Sequence, residues 1–250
     1  MTYRSEEVIK YIHSKKKKGK PYILREEIIN YITNNFPKTN SNTLRRRISD
    51  LKRDGIITKV DKNAYYIGNK PQYFPSHSKF IEKLNKNINE HFPYLDSYCI
   101  WNTQWLNEFT TLQSDKSMLI IEVERGIEDA MFDYLSDSHE NVYIKPTRKE
   151  VERYILPNKD SVVVKPLITN SPIIKKENLQ FPKLEKILVD LFCDSELFMA
   201  YQGNQLLNIY TNSIKKYAVN RKTLLAYAKR RRKENRLKDF LNDILDTKWM

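Results

Sequence analysis

Apolar residues fall on a helical period three times within the first 55 positions. Val8, Ile9, Tyr11 and Ile12 share one side of a helix over 5–14, with Ser5 as its cap and acids in its first turn. Ile28, Ile29 and Ile32 form the stripe of a second helix over Arg25–Phe36. Leu44, Ile48 and Leu51 repeat at i, i+4 and i+7 on a third, which opens on a polar cap at Ser41 and stops at Gly55. Before the second helix, KKKKGK (15–20) reads as a basic connector and Tyr22–Leu24 as a short strand. Behind the third, IITKVDKNAYYIG (56–68) reads as a small hairpin.

Gly68-Asn69-Lys70-Pro71 breaks the pattern and marks a linker, so residues 1–70 and 71–250 are expected to be separate domains. Beyond it, helical and β-rich runs alternate. Helix 77–90 precedes strand 96–101, helix 103–112 precedes strand 117–124, helix 127–136 precedes strand 141–145, and helix 147–155 precedes strand 161–165. This alternation predicts a mixed α/β domain with helices packed on a small sheet. After Pro172 the pattern turns helical, over 182–193, 195–200, 203–217, 220–233 and 236–247, predicting a helical C-terminal subdomain over about 180–250.

Three helices, a short strand and a hairpin in this order predict an N-terminal winged helix-turn-helix. On the third helix the face opposite Leu44, Ile48 and Leu51 carries Asn42, Arg45, Arg46, Ser49 and Arg53, with Thr43 and Lys52 beside them. Arginine bonds guanine bidentately and asparagine does the same with adenine in a major groove. Lys59, Lys62, Asn63 and Tyr65 on the hairpin are expected along the backbone or minor groove. A charged helix face is often merely solvated; the coincidence of fold pattern and basic face is what favours double-stranded DNA.

Charge sharpens that reading. Residues 1–70 hold 17 Lys+Arg against 7 Asp+Glu, residues 218–250 hold 10 against 4, and the stretch between carries a small net negative charge. Two basic ends around a mildly acidic middle suggest polyanion contact at the ends. Lys229, Arg230, Arg231 and Arg232, on a helix with Leu224, Leu225, Tyr227 and Ala228, are a candidate second nucleic-acid patch or a solvated helix end. Cys99 and Cys193 stand far apart, no run is long enough for a membrane span, and the start lacks a signal-peptide core; the expected location is the cytoplasm.

Few residues suggest chemistry. His13, His77, His91 and His139 are scattered, and five glycines supply no phosphate-cradling loop. Asp96, Glu122 and Glu124 are the one acidic set worth testing, since strand-borne acids can hold a divalent metal for phosphodiester cleavage. That alternative is a winged-helix-targeted, restriction-endonuclease-like nuclease or its inactive derivative. Glu124 sits where such enzymes carry a lysine, so the expectation is a chain with no catalytic residues, no cofactor and no metal.

Several stretches resemble the AbiEi-type antitoxins of type IV toxin–antitoxin (abortive infection) systems: CIWNTQWLNEF (99–109), LIIEVER (119–125), PLITNSPI (166–173), PKLEKILVDLFCD (182–194) and VNRKTLLAYAKRRRK (219–233). The resemblance implies a non-enzymatic antitoxin for phage defence that represses its own operon by binding upstream repeats. Paired half-sites are usual for a reader of this kind, so inverted repeats and a homodimer on DNA are expected. The resemblance also implies a nucleotidyltransferase-like toxin as functional partner, opposed with or without direct contact. The recognition-helix positions Asn42, Arg45, Arg46, Ser49 and Arg53 are those that carry over with a role.

Overall fold

The computed structural model describes residues 3–18, 20–111, 113–176 and 179–244. Its architecture is mixed α+β on three small sheets. The described residues divide into two compact units: those within 3–72, 216–222 and 239–244, and those within 73–215 and 223–238.

The N-terminal unit runs α1 (Tyr3–Lys17), β1 (Tyr22–Leu24), α2 (Arg25–Asn35), α3 (Ser41–Arg53), β2 (Ile57–Lys59) and β3 (Ala64–Ile67). The strands form an antiparallel sheet in the order β1-β3-β2, with Tyr22 opposite Tyr66 and Ile57 opposite Ile67. Helix α1 starts two residues before Ser5 and continues through Lys17, so half of the expected connector is helix. Lysines in a last helical turn offset the negative end of the helix dipole, which explains the extension. The α3 cap falls at Asn40, whose Oδ1 accepts from the Thr43 N–H at 2.8 Å. Gly55 ends that helix with φ +69°, where a side chain would be strained, and the Ile56 N–H returns to the Leu51 carbonyl at 3.0 Å.

The apolar stripes meet as their spacing implies. Val8 and Ile12 of α1, Ile28 and Ile32 of α2, and Ile48 and Leu51 of α3 form one core with Ile23, Ile57 and Ile67 of the sheet. Each such side chain contributes about 1.5–3 kcal/mol by leaving water. Tyr11 and Tyr31 stack at 3.9 Å between centroids and lock α1 onto α2. Residues 216–222 also belong to this unit: the Ala218 N–H donates to the Pro71 carbonyl (3.0 Å) and the Arg221 N–H to that of Val60 (2.9 Å).

The second unit is built on β4 (Tyr98–Asn102), β5 (Ser117–Val123), β6 (Val142–Ile144) and β7 (Asp160–Pro166) in the order β4-β5-β7-β6. Strand β4 is antiparallel to β5, while β5, β7 and β6 are parallel, so β7 slots between β5 and β6. The middle of β5 and β7 is buried on both faces, as expected for covered parallel strands. Helices α4 (Lys79–His91) and α5 (Glu128–Ser136) cover one face through Ile81, Leu84, Ile88, Met131 and Leu135, which pack with Leu119, Ile121 and Val123. The Tyr98 hydroxyl fastens β4 to α4 by donating to Asn85 and accepting from Asn89 at 3.0 Å.

The expected alternation up to β7 is present with adjusted lengths. Residues 103–108 form a short 3₁₀ helix in place of a helix over 103–112, of which 112 is outside the described residues. The segment expected as helix 147–155 is a single α turn (α6, Arg148–Glu150) followed by a π turn over Val151–Ile155. After Pro172 the chain forms a hairpin, β8 (Ile173–Lys176) with β9 (Leu179–Pro182), before α7 (Leu184–Cys193). Leu179 and Phe181 join the main core, so tertiary burial rather than local period decides that segment. A 3₁₀ turn (Met199–Tyr201), α8 (Asn204–Lys216), α9 (Arg221–Arg230) and α10 (Glu234–Ile244) follow, and positions 245–247 of the last expected helix lie outside the described residues. No described helix is long and apolar enough to cross a membrane.

Ile32 is fully buried and Leu24 is 38% exposed. Ile32→Ala is expected to cost about 2–5 kcal/mol in urea denaturation followed by circular dichroism, against less than about 1 kcal/mol for Leu24→Ala. Comparable losses at the two positions would contradict the packing described for α2.

Candidate nucleic-acid interface

Ile48 and Leu51 hold α3 against the N-terminal core, with Leu44 half-buried beside them. That anchoring turns Asn42, Arg45, Arg46, Ser49, Lys52 and Arg53 to solvent. Thr43 is half-buried and its N–H is taken by Asn40. Arg47 takes a different course, with its guanidinium 5.2 Å from the centre of the Phe36 ring. Arg53 is exposed but engaged: it bonds Asp54 at 3.1 Å and Asp50 at 2.9 Å, and those carboxylates hold its guanidinium above the usual arginine range. An anion approaching Arg53 meets two acids, so Arg45, Arg46 and Lys52 are the stronger cations of this face.

The β2–β3 turn presents Lys59, Lys62 and Asn63 to solvent, and Asp61 fixes it by accepting from the Lys62 N–H at 2.6 Å. Tyr65 is corrected by the structure. It is 4% exposed and packs in the core, and burial raises its hydroxyl pKa against the opposing pull of Arg25. Successive strand residues face opposite ways, so the ring on the outer side is that of Tyr66. Tyr66 meets Tyr22 across the strands at 5.7 Å, with Lys16 Nζ 5.5 Å and Lys70 Nζ 4.1 Å from its centre. Burial lowers the Lys70 pKa to about 8. Within the basic run at the end of α1, Lys15 is paired with Glu27, whereas Lys16, Lys17, Lys18 and Lys20 are exposed.

The second basic patch divides. Lys229, Arg230 and Arg232 are exposed, with Arg230 Nη1 donating to the Asn170 carbonyl at 3.0 Å. Arg231 is corrected: it turns inward to Asp190, at 2.7 Å, and to Asp194. Position 231 lies four residues after Tyr227 and three after Ala228, both buried, and so continues their face. That spacing was visible in the sequence.

A family model described as a family of unknown function (DUF6577) matches residues 43–247. The chain belongs to DUF6577. No curated protein matches the chain. The DUF6577 match starts inside α3 and takes in the β2–β3 hairpin and the whole second unit, leaving α1, β1 and α2 outside it.

Within the DUF6577 segment, the three acids weighed for metal chemistry do not gather. Asp96 is exposed, and its backbone carbonyl accepts from Lys175 (3.0 Å) and Gln180 (3.1 Å). Glu124 accepts from the Ser97 N–H at 2.8 Å. Glu122 is buried, and its Oε1 accepts from Trp101 Nε1 (3.2 Å) and from Lys186 Nζ (2.6 Å). Among the described residues no three His, Cys, Asp or Glu side chains are grouped to hold a metal ion.

Glu122 instead opens a charge network that the sequence reading missed. Lys186 on α7 is fully buried and bonds both Glu122 and Asp190 at 2.6 Å. Asp190 also accepts from the Tyr227 hydroxyl (2.9 Å) and from Arg231, while Asp194 takes Arg231 and Lys165. Burial opposes the charge on Lys186, but Asp190 and Glu122 outweigh it and hold the ammonium well above the ordinary lysine pKa. For Asp194, burial is likewise outweighed, by Lys165 and Arg231, and its pKa is lowered. Three cations and three carboxylates balance, which suits a structural core. The sequence signal was a Lys186–Asp190 pair at i, i+4 inside a helix that is apolar at most other positions.

Lys186→Met leaves Glu122 and Asp190 buried without their shared cation, and is expected to cost about 3–5 kcal/mol in chemical denaturation. A cost no larger than that of an ordinary surface substitution, about 0.5 kcal/mol, would contradict the network as described.

Proposed function

We propose that the N-terminal unit is a winged helix that reads double-stranded DNA, and that the chain is an antitoxin and autorepressor of a type IV toxin–antitoxin operon. One observation carries the DNA reading. The apolar side of α3 is docked on its own core while Asn42, Arg45, Arg46 and Ser49 stand together on the exposed side, followed by a hairpin bearing Lys59, Lys62 and Asn63. In that arrangement α3 enters the major groove and the hairpin lies along the backbone. Lys52, Lys62 and the exposed lysines at the end of α1 neutralise phosphates and supply affinity, while Arg45, Arg46 and Asn42 supply selectivity.

The antitoxin reading is supported by the stretches that resemble AbiEi-type proteins. Several of them, in β5, in α7 and at the end of α9, contribute Glu122, Lys186, Asp190 and, just past that end, Arg231 to the charge network. On this reading the operator is an inverted repeat upstream of the chain's own gene, bound by a homodimer in the cytoplasm. The functional partner is a nucleotidyltransferase-like toxin, and the chain itself has no catalytic role.

The test is binding of the purified chain to its upstream DNA and to a scrambled duplex, across a salt series. Arg45→Ala with Arg46→Ala is expected to cost about 2–6 kcal/mol on the cognate site and little on the scrambled one. Lys62→Ala is expected to weaken both duplexes equally and to lower the salt slope by about 1. Equal losses on both duplexes for the arginine variant would overturn α3 as the reading helix.

A further inference from the structure

A cavity of about 480 Å³ opens in the second unit between the loop leading into β5, the end of the π turn and the start of α8. Its size lies in the range of small-molecule sites. Its walls are pinned by their own hydrogen bonds. The Asn107 amide donates to the Ser114 carbonyl (3.0 Å) and accepts from the Ser114 N–H (3.3 Å), closing the loop on itself. The buried Thr103 hydroxyl accepts from the Met118 N–H at 2.8 Å, and Asn158 Nδ2 donates to the Tyr154 carbonyl at 2.7 Å. The opposite wall is tied in as well, since Asn212 on α8 donates to the Phe109 carbonyl at 2.8 Å.

One polar atom on the lining is left over. Gln205 Oε1, in the first turn of α8, is buried with no hydrogen-bond partner. Such an atom costs free energy unless something in the cavity supplies a donor. The acidic and basic side chains on the lining, Asp115 and Lys116, are both exposed, and Asp115 is tied to Lys159 at 3.2 Å. An anionic ligand would therefore meet no buried cation. The rest of the lining combines carboxamides and hydroxyls, among them that of Tyr201, with the apolar side chains of Met118, Ile155 and Leu156.

We propose that this cavity binds a neutral nucleoside. A carboxamide pairs with the donor and acceptor edge of a base, the apolar side chains take its flat face, and the Ser117 hydroxyl, which donates to the Lys159 carbonyl at 3.5 Å, can accept from a ribose hydroxyl. A saccharide fits less well: vicinal hydroxyls are usually held by carboxylates or guanidinium groups, and the one carboxylate here is engaged by Lys159. The proposal is independent of DNA binding; in a regulator the site would serve an effector.

Adenosine, guanosine, cytidine and uridine would be titrated calorimetrically into the full chain, with their 5′-monophosphates and with glucose and sucrose as controls. At least one nucleoside is expected to bind, with its monophosphate weaker by about ten-fold or more. Ala200→Phe, at an exposed lining position, and Gln205→Leu are each expected to weaken that nucleoside by about ten-fold or more. Ligand-free Gln205→Leu is also expected to melt above the unsubstituted chain, because its orphan acceptor is gone. The proposal is overturned if none of the four nucleosides binds, if binding survives both substitutions, or if only the sugars bind. Since no readout involves DNA, its failure would leave the DNA proposal standing.

Discussion

A lysine that is fully buried and fully charged constrains everything around it. Lys186 can remain so only while Glu122 reaches it from the sheet and Asp190 from the next turn of α7. Asp190 in turn requires the Tyr227 hydroxyl and Arg231, and Asp194 requires Arg231 and Lys165. The network therefore specifies which strand face α7 covers and how the C-terminal end of α9 sits against it. Apolar packing of similar volume would stabilise the unit at least as well, but it would tolerate a slipped helix. A balanced set of six charges does not, because any slip strands a charge away from water.

The same logic explains why basic residues that look alike in the sequence differ in role. Arg45 and Arg46 are held in solvent by the burial of Ile48 and Leu51, whereas Arg47 lies over Phe36 and Arg53 is claimed by Asp50 and Asp54. In the run 229–232, Arg231 alone follows the buried face of α9. Local acids and helical phase sort cations into those available to a phosphate and those that serve the fold. The net charge of +13 therefore overstates the surface open to a polyanion.

Much of the N-terminal unit was legible because its stripes are local. Three short amphipathic helices bury Ile and Leu at i, i+3 and i+4, and a glycine with positive φ stops the third, so propensity, period and burial agree. The parts read wrongly are those where two signals compete. Adjacent Tyr65 and Tyr66 face opposite sides of β3, and only the register against β1 and β2 assigns the first to the core. The β8–β9 pair has no counterpart in the sequence reading, which assigns no element to 173–181, because Leu179 and Phe181 find their partners in the sheet core, far along the chain.

From the sequence alone came the order of elements up to β7, the outward face of α3 and the concentration of charge at the two ends, since each depends on neighbours within one or two turns. Tertiary structure alone decided that β7 lies between β5 and β6, that Glu122 answers Lys186 across 64 residues, and that distant segments enclose a cavity with one unsatisfied amide. The physical reason is range. A helical period is written in adjacent residues, whereas the pairing of a buried charge or an orphaned oxygen depends on which distant segment the core brings beside it.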